Sequence, residues 1–402
     1  MSEWAETTLG EICSLGGGNI QTGPFGSQLH ASDYVEVGIP SVMPQNIGDN
    51  TIVETGIARI TEADAVRLSK YRLRTDDIVY SRRGDVERRA LVRAENDGWL
   101  CGTGCLKVSF GSTPIADPTF ISHYLGTEET REWIVRHAVG ATMLNLNTKI
   151  LSAVPLTLPP LREQQDIAEV LGALDDKIAA NTKLAATADE FLAARLSKLL
   201  ELGFDEVRLS DVAEVNAGTI KPSAGGSLRY IDIAAVGVGS HAFPELMSWD
   251  DAPSRARRKV SNGDTLWSTV RPNRRSHSLN LSEDPLLVGS TGLAVISPRK
   301  IGFAYLYEVT KTPEFTAYLE NVAEGSAYPA VRADRFSEAM IPVLSQEYLA
   351  DFEALAAPIR EHIHSLSVES SNLAATRDAL LPQLMSGKLR VKDAGSLVSE
   401  LV

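Results

Sequence analysis

An internal duplication is the feature that most restricts how this chain of 402 residues can fold. Four stretches of the first half return in the same order in the second half, about 190 residues later. The pairs are WAETTLGEICSL and FDEVRLSDVAEV, TDDIVYS and NGDTLWS, GTGCLKV and STGLAVI, and KLAATADEFL and NLAATRDALL. The ordered series predicts a tandem duplication of one α+β unit.

Each copy has the same internal plan. Short stretches with Val/Ile alternation and Gly-rich turns indicate strands and loops, and a long helical stretch follows them. The sequence therefore predicts two globular domains, each followed by a long helix. The predicted boundaries are 1–158 for the first domain, 159–202 for its helix, 203–344 for the second domain, 345–390 for its helix and 391–402 for a C-terminal tail.

The long helical stretches carry apolar residues at alternating spacings of three and four, the pattern of a coiled-coil seam. The principal seam positions are Ile167, Leu171, Leu174 and Ile178 in the first helix, and Ile359, Ile363, Leu366 and Leu373 in the second. A helix of about 40 residues is about 60 Å long, and so narrow a stripe needs a partner. We expect the two helices to pair with each other; the alternative is that each packs on its own domain.

Three details qualify the helix prediction. Asn181 falls at a seam position, where it would either set the register or face solvent. Gly203 and Gly387 lie just beyond the two helices, as expected of residues that end a helix. Pro358 and Pro382 are expected to kink or split the second helix.

Composition excludes several protein classes. Hydrophobic residues make up 44% and charged residues 23% of the chain, as in soluble globular proteins. The sequence shows neither an apolar run of about 20 residues nor a secretory signal, and it predicts a cytosolic protein. The cysteines, Cys13, Cys101 and Cys105, are too few for a disulfide framework or a structural zinc site, so we expect core thiols.

Basic residues concentrate at matching places of the two copies, although the whole chain has a net charge of −13. Residues 67–93 contain nine basic and four acidic side chains, and residues 255–275 contain seven and one. Both windows surround the related strands TDDIVYS and NGDTLWS. Because chance surface charge need not fall twice at one topological place, the pattern predicts contact with a polyanion.

The candidate DNA-contacting residues lie in these windows and on nearby polar loops, including VGATMLNLNTK and AEGSAYPAVRADR, which correspond between the copies. Lys and Arg would position the protein on phosphates, and Arg, Asn and Gln can also read base edges. In the first copy they are Lys70, Arg72, Arg82, Arg83, Arg88, Arg89, Gln21, Ser27, Gln28, Gln45, Asn46, Asn145 and Lys149; in the second they are Arg257, Arg258, Arg271, Asn273, Arg274, Arg275 and Arg332.

No catalytic or metal-binding motif stands out in the sequence. It lacks the Asn/Asp-Pro-Pro-aromatic motif of adenine methyltransferases, a phosphate-binding G-x-x-x-x-G-K-[ST] loop, an H-E-x-x-H pair and a nucleophile elbow. A duplicated chain with two basic regions and no such motif is more typical of a binding module than of an enzyme. We expect no catalytic residue, no metal site and no bound cofactor.

Several stretches resemble the specificity subunits of Type I restriction–modification enzymes. LPPLREQQDIAEVLGALDDKIAANTKL is similar to their central helix, ALLPQLMSGKLRV to the end of their second helix, and TGPFGSQLHASDYVEVGIPSVMPQNI and SRRGDVERRALV to parts of their target-recognition domains. The second copy departs from this pattern because VLSQEYLADFEALAAPIREHI lacks the Pro-Pro-Leu-x-Glu-Gln run.

The resemblance implies a fold of two α+β target-recognition domains with two long helices in an antiparallel coiled coil. It implies a non-catalytic subunit that reads a two-part sequence in double-stranded DNA and recruits two methyltransferase subunits, with two restriction subunits in the full enzyme. S-adenosylmethionine, ATP and Mg²⁺ would then bind to the partner subunits. Two alternatives stay open: a coiled-coil scaffold that does not bind DNA, and the recognition subunit of a methylation-based defence system without the restriction motor.

Overall fold

Two units make up the chain in the computed structural model, which describes residues 4–140, 142–399 and 401. Unit 1 comprises Met1–Ala179 and Ser371–Val402, and unit 2 comprises Ala180–Ser370. Each unit therefore contains one copy of the repeat together with parts of both long helices.

Unit 1 is built from three small sheets and a set of short helices. Its elements are β1 (Ala5–Thr8), α1 (Leu9–Leu15), β2 (Asn19–Thr22), β3 (Tyr34–Val35), β4 (Ile39–Val42), β5 (Ala58–Ile60), α2 (Glu62–Arg67), β6 (Ile78–Ser81), β7 (Arg89–Leu91), β8 (Leu100–Cys101), β9 (Cys105–Ser109), α3 (Pro118–Tyr124), α4 (Glu128–His137), α5 (Thr148–Ser152), β10 (Pro155–Leu158) and the first part of α6 (Leu161–Leu200). The strand orders are β2-β9-β6-β7, β3-β5-β4-β8 and β1-β10.

Unit 2 repeats this plan. It contains β11 (Asp205–Arg208), α7 (Leu209–Val212), β12 (Ala213–Val215), β13 (Ser227–Ile231), β14 (Leu246–Ser248), β15 (Ala256–Lys259), β16 (Thr265–Ser268), β17 (His277–Leu279), β18 (Leu287–Ser290), β19 (Leu293–Pro298), α8 (Phe303–Thr310), α9 (Pro313–Val322), α10 (Ala333–Glu338), β20 (Met340–Val343) and most of α11 (Gln346–Met385). The sheets β12-β19-β16-β17 and β11-β20 match their counterparts in unit 1. The predicted α+β duplication is confirmed.

Apolar side chains of the strands form the core of each unit. All four residues of β6 and of β16 are buried, which explains why the two segments read as short, nearly continuous apolar strands. Cys13, Cys101 and Cys105 are buried free thiols, as predicted. Burial raises the pKa of Cys13 and of Cys101 to about 12, so these thiols stay protonated at neutral pH.

The long helices α6 and α11 run antiparallel where they meet within each unit. In unit 1, Leu171 and Leu174 share a core with Leu373 and Leu380. In unit 2, a later part of α6 shares a core with an earlier part of α11, through residues that include Leu192 and Phe352. The same cores contain residues of the small helices and strands, so the long helices pack both on each other and on the globular layer.

All eight seam positions are buried or half-buried. Ile167, Leu171, Leu174, Leu366 and Leu373 are buried, and Ile178, Ile359 and Ile363 are half-buried. Asn181 is buried, and its Nδ2 donates to Glu369 Oε2 at 2.6 Å. Asn181 thus faces the partner helix rather than solvent.

The second long helix differs from its prediction at the prolines. α11 is continuous from Gln346 to Met385, so a split at Pro358 or Pro382, one of the two expected outcomes, is wrong. Both prolines lie on the exposed side, while Ala356, Leu380 and Leu384 anchor the opposite side in the core, and this packing keeps the chain helical. The segment 391–402, predicted as a tail, contains helix α12 (Val391–Val398), although residues 400 and 402 lie outside the described residues.

Candidate nucleic-acid interface

The Arg-rich stretch of unit 1 forms the tip of the β6–β7 hairpin. A second loop, which includes residues 139–140 and 142–147, and Gly104 support this tip through backbone hydrogen bonds. Arg82 N–H donates to Gly104 O at 2.8 Å, Leu146 N–H donates to Arg82 O at 2.8 Å, and Gly84 N–H donates to Leu144 O at 3.0 Å. The backbone of the tip is therefore fixed by hydrogen bonds that use none of its side chains.

Unit 2 builds the same frame at the tip of the β16–β17 hairpin. Thr269 N–H donates to Gly292 O at 2.9 Å, Val331 N–H donates to Thr269 O at 2.8 Å, and Arg271 N–H donates to Pro329 O at 2.7 Å. Ser81 and Ser268, at the ends of β6 and β16, each donate a hydroxyl to a carbonyl two residues later. The loops predicted to correspond thus occupy equivalent places in the two units. The supporting loop of unit 2 is the segment 323–335.

The four arginines of SRRGDVERRALV do not all face solvent. Arg83 and Arg88 are exposed, and Arg82 is half-buried. Arg89 is only 7% exposed, and its Nε donates to Ser122 O at 2.6 Å. Burial also lowers the pKa of the Arg89 guanidinium. The expectation that Arg89 faces DNA is therefore wrong: its place opposite buried Tyr80 in the β6–β7 pair turns it inward.

The two acidic residues of the same stretch pair with arginines. Asp85 Oδ2 lies 3.6 Å from Arg88 Nε. Glu87 Oε1 accepts a 2.6 Å hydrogen bond from Arg131 Nη2, on helix α4. Both carboxylates therefore orient guanidinium groups around the tip.

Four of the other candidates of unit 1 form hydrogen bonds within the protein itself. Asn46 is fully buried and donates its Nδ2 to Val53 O at 3.0 Å, so it is a turn residue and not a base reader. Arg72 donates to Gly98 O, Gln21 donates to Lys70 O, and Gln28 accepts from the Tyr71 hydroxyl. Asn145 is half-buried, whereas Ser27, Gln45, Lys70 and Lys149 are exposed.

The candidates of unit 2 divide in the same way. Asn273, Arg274, Arg275 and Arg332 are exposed, and Arg257, Arg258 and Arg271 are half-buried. Arg275 donates to Lys311 O at 2.9 Å, Arg332 pairs with Glu324 Oε2 at 2.9 Å, and Arg257 donates to Ala256 O at 2.6 Å. The Arg271 guanidinium lies 4.6 Å from the ring centroid of Tyr328, a residue of the supporting loop that the sequence did not single out.

A buried polar network lies behind the tip of unit 1, and sequence reasoning missed it. Asp175 accepts from Arg377 Nη1 at 2.8 Å and from Asn50 Nδ2 at 3.3 Å. His123 Nε2 lies 3.7 Å from Asp175 Oδ2. Burial lowers the pKa of His123 to about 4, so the ring is neutral at pH 7. Burial by itself lowers the pKa of the Arg377 guanidinium. The neighbouring Asp175 carboxylate outweighs this effect and raises that pKa above its usual value.

A related network lies in unit 2, again between an acid on α6 and an arginine on α11. Arg360 Nε donates to Glu308 Oε1 at 2.8 Å, and Arg360 Nη2 lies 2.6 Å from Asp189 Oδ1. Lys311 Nζ reaches both acids, at 3.0 and 2.6 Å. One signal in the sequence is that Asp175 and Arg360 each directly follow a seam residue, Leu174 or Ile359.

A polar cavity of about 730 Å³ opens in unit 1 beside the tip. Its lining mixes Arg88, Arg131 and Arg377 with acidic residues such as Asp49 and Glu132. This mixture of signs gives it no clear preference for an anion or a cation. Across residues 4–140, 142–399 and 401, no three His, Cys, Asp or Glu side chains cluster as a metal site requires. No helix in that part of the chain is long and apolar enough to cross a membrane.

Known proteins share this sequence pattern and this fold. Residues 1–188 match the family of the Type I restriction modification DNA specificity domain. The Type I restriction enzyme HindI specificity subunit of Haemophilus influenzae is 22% identical, over 97% of this chain and all of that subunit. The MjaVIII specificity subunit of Methanocaldococcus jannaschii is 20% identical, over 69% of this chain and 72% of that one.

A solved structure supports the fold independently. The crystal structure of a Type I restriction–modification S subunit from M. genitalium superimposes with a TM-score of 0.56 at 17% sequence identity. The similarity covers 95% of this chain and 96% of that one. This chain thus shares its fold with a solved structure.

Proposed function

Because this chain belongs to the family of Type I restriction–modification specificity subunits, we propose that it recognises a two-part sequence in double-stranded DNA. Each hairpin tip, with its supporting loop, would read one half. The observation that carries the proposal is the repeated tip: the same backbone hydrogen bonds recur in both units, while the exposed side chains differ. One frame with two sets of side chains suits a protein that reads two different sequences.

The charge distribution supports DNA as the ligand. Arg83, Arg88 and Lys149 are exposed near the tip of unit 1, and Asn273, Arg274 and Arg332 near the tip of unit 2. Lysine and arginine side chains on a duplex neutralise phosphates and release counterions, which gives affinity without sequence preference. Side chains that reach the base edges then supply the specificity.

The proposed role is positioning, without chemistry on this chain. Two methyltransferase subunits would bind here and methylate adenine N6 with S-adenosylmethionine, and two restriction subunits would use ATP and Mg²⁺. In this proposal the chain binds no cofactor itself and acts in the cytoplasm. The paired helices α6 and α11 would set the gap between the two half-sites.

Methylome sequencing tests the proposal directly. The chain is expressed with its methyltransferase subunit in a host without adenine methylation, and methylated adenines are mapped. We expect methylation only within a two-part motif with a fixed gap. A control strain with the methyltransferase alone should show none. Methylation at unsplit sites, or none at all with both subunits present, would contradict the proposal and favour the scaffold alternative.

A further inference from the structure

The geometry points to Arg271, stacked on Tyr328, as the residue through which unit 2 recognises a guanine base. This inference rests on the proposed function and extends it to one side chain and one base. Arg271 lies at the hairpin tip, directly beside the supporting loop. Three features set Arg271 apart: its backbone conformation, its contact with Tyr328 and the different residue at the same place in unit 1.

The backbone of Arg271 is unusual for an arginine. It has φ 54° and ψ 62°, in the left-handed region that side chains with a Cβ adopt at a conformational cost. The matching residue of unit 1 is Gly84, with φ 76°, the residue type that adopts this region freely. Unit 2 therefore holds an arginine where the fold itself favours glycine. Strain of this kind is typical of functional positions.

The Arg271 guanidinium lies over the Tyr328 ring, which restricts the positions that it can take. The guanidinium carbon lies 4.6 Å from the ring centroid, and Tyr328 is 68% exposed, so the stacked pair stands at the surface. Within the described residues, Arg271 makes no ion pair with a carboxylate, unlike Arg332 with Glu324. The ring covers one side of the guanidinium, and its N–H groups make no hydrogen bond to the protein within the described residues, so they can donate to a ligand.

A planar edge of two parallel N–H donors matches the O6 and N7 acceptors of guanine in the major groove. A phosphate contact would not need this arrangement, because any flexible cation satisfies a phosphate. Stacking on Tyr328 and the docked backbone remove rotational freedom before binding, which favours discrimination over mere attraction. Guanine is thus the base that this pair fits best.

The equivalent place in unit 1 presents different chemistry on the same frame. Gly140 and Gly325 both have positive φ, of 130° and 98°, at the start of the supporting loops. Three residues further on, Met143 and Tyr328 are both exposed, by 61% and 68%. Unit 1 therefore offers Gly84 and Met143 where unit 2 offers Arg271 and Tyr328. This exchange of side chains predicts that the two halves of the target differ at the corresponding position.

The test is selection from a library of DNA duplexes with a randomised central region, using the full chain with its methyltransferase subunit. The first variant, Arg271→Lys, keeps the positive charge and a side chain with a Cβ at this left-handed position. The second, Arg271→Gly, removes the side chain and relieves the backbone strain. Arg274→Ala, at an exposed arginine of the same tip, is the matched control. Thermal unfolding of each variant is measured in parallel.

We expect wild type to enrich a two-part motif with a guanine in one half. Arg271→Lys should lower the preference for that guanine about tenfold and leave the other half-site unchanged. Arg271→Gly should do the same without lowering the melting temperature, because glycine suits this backbone. Arg274→Ala should weaken binding to all sequences alike.

The outcomes separate the two proposals. An unchanged motif with Arg271→Lys and Arg271→Gly overturns the role of Arg271 and leaves the proposed function intact. A loss of preference that comes with a lower melting temperature of Arg271→Gly also overturns it, because the residue would then be structural. If wild type enriches no duplex, the proposed function itself fails, and this inference fails with it.

Discussion

Arg377 on α11 donates a 2.8 Å hydrogen bond to Asp175 on α6, and the two residues are only 8% and 3% exposed. In unit 2 the acid is again on α6 and the arginine on α11, since Arg360 on α11 meets Asp189 on α6 and Glu308 on α8. Asp175 and Arg360 stand at the same step of the two helices, each directly after a seam residue. A self-pairing of either helix would therefore bring like charges together. Acids on α6 and arginines on α11 in both units thus favour pairing of α6 with α11.

Removing one partner of the Asp175–Arg377 pair should destabilise unit 1. We expect Arg377→Met to lower its free energy of unfolding by about 3–5 kcal/mol, because it leaves a buried carboxylate without its counter-ion. Hydrogen exchange of unit 1 peptides measures the loss. The double variant Asp175→Leu, Arg377→Met should recover most of it, since a buried ion pair is often replaceable by apolar groups.

Arg136→Met is the matched control for this prediction. Arg136 pairs with Glu132 in the same unit, but the two side chains are 68% and 57% exposed. We expect the free energy of unfolding to fall by no more than about 1 kcal/mol. A similarly small decrease in Arg377→Met would show that the buried pair does not hold the helices together.

Sequence alone predicted the parts of the fold that depend on periodic patterns. The repeat, the buried strands around Tyr80 and Trp267 and the seam from Ile167 to Leu174 all follow from spacing that a single chain displays. The Asp175–Arg377 pair could not be predicted in that way. Its members are 202 positions apart, and their pairing depends on the register of two helices rather than on local pattern.

The neutral state of His123 should make unit 1 sensitive to acid. Its pKa is about 4 in the folded chain, because burial disfavours the charged ring, and about 6.5 in an unfolded chain. Asp175 opposes the shift, while Arg89, Arg377 and Arg93 add to it. The unfolded chain therefore takes up a proton first as the pH falls, and stability present above pH 6.5 is lost between about pH 6.5 and 4.

Denaturant unfolding at pH 7 and pH 5 tests this dependence. His123→Gln should reduce the loss of unfolding free energy between these values by about 1–2 kcal/mol relative to wild type. His30→Gln, at a side chain that is 63% exposed, is the control and should leave the loss unchanged. An equal pH dependence of wild type and His123→Gln would contradict a buried neutral ring.

The candidate interface was only partly predictable, for a different physical reason. Composition placed four arginines in one short segment, but a hairpin alternates its side chains between two faces. Arg89 turns inward to Ser122 and Arg83 outward, a difference that depends on strand pairing. Tyr328 was unremarkable in sequence because its importance comes from a neighbour more than fifty positions away, Arg271.

Two glycines should respond in opposite ways to alanine. A Cβ at Gly126 would meet the Arg89 guanidinium, which is buried and already bonded to Ser122. We expect Gly126→Ala to destabilise unit 1 by about 1–3 kcal/mol through overpacking. Gly172 lies inside α6, where the nearest atom to a new Cβ is 3.9 Å away. Gly172→Ala should stabilise the helix by about 0.5–1 kcal/mol. Thermal unfolding measures both changes. A shift of the melting temperature in the same direction for the two variants would refute this account.

The exposed arginines at the tip of unit 1 should contribute to DNA affinity through phosphates. We expect the double variant Arg83→Ala, Arg88→Ala to bind a duplex carrying the methylated motif more weakly. The dependence of log Kd on log salt should become shallower by about 0.9 for each phosphate that the variant no longer neutralises.

The melting temperature should stay within about 1–2 °C of wild type, because surface substitutions away from special structural features have small effects. Fluorescence anisotropy at several salt concentrations measures the slope. Arg89→Ala should instead lower the melting temperature, since it removes a buried hydrogen bond and leaves a cavity. A double variant with the wild-type salt slope would remove this tip from the interface.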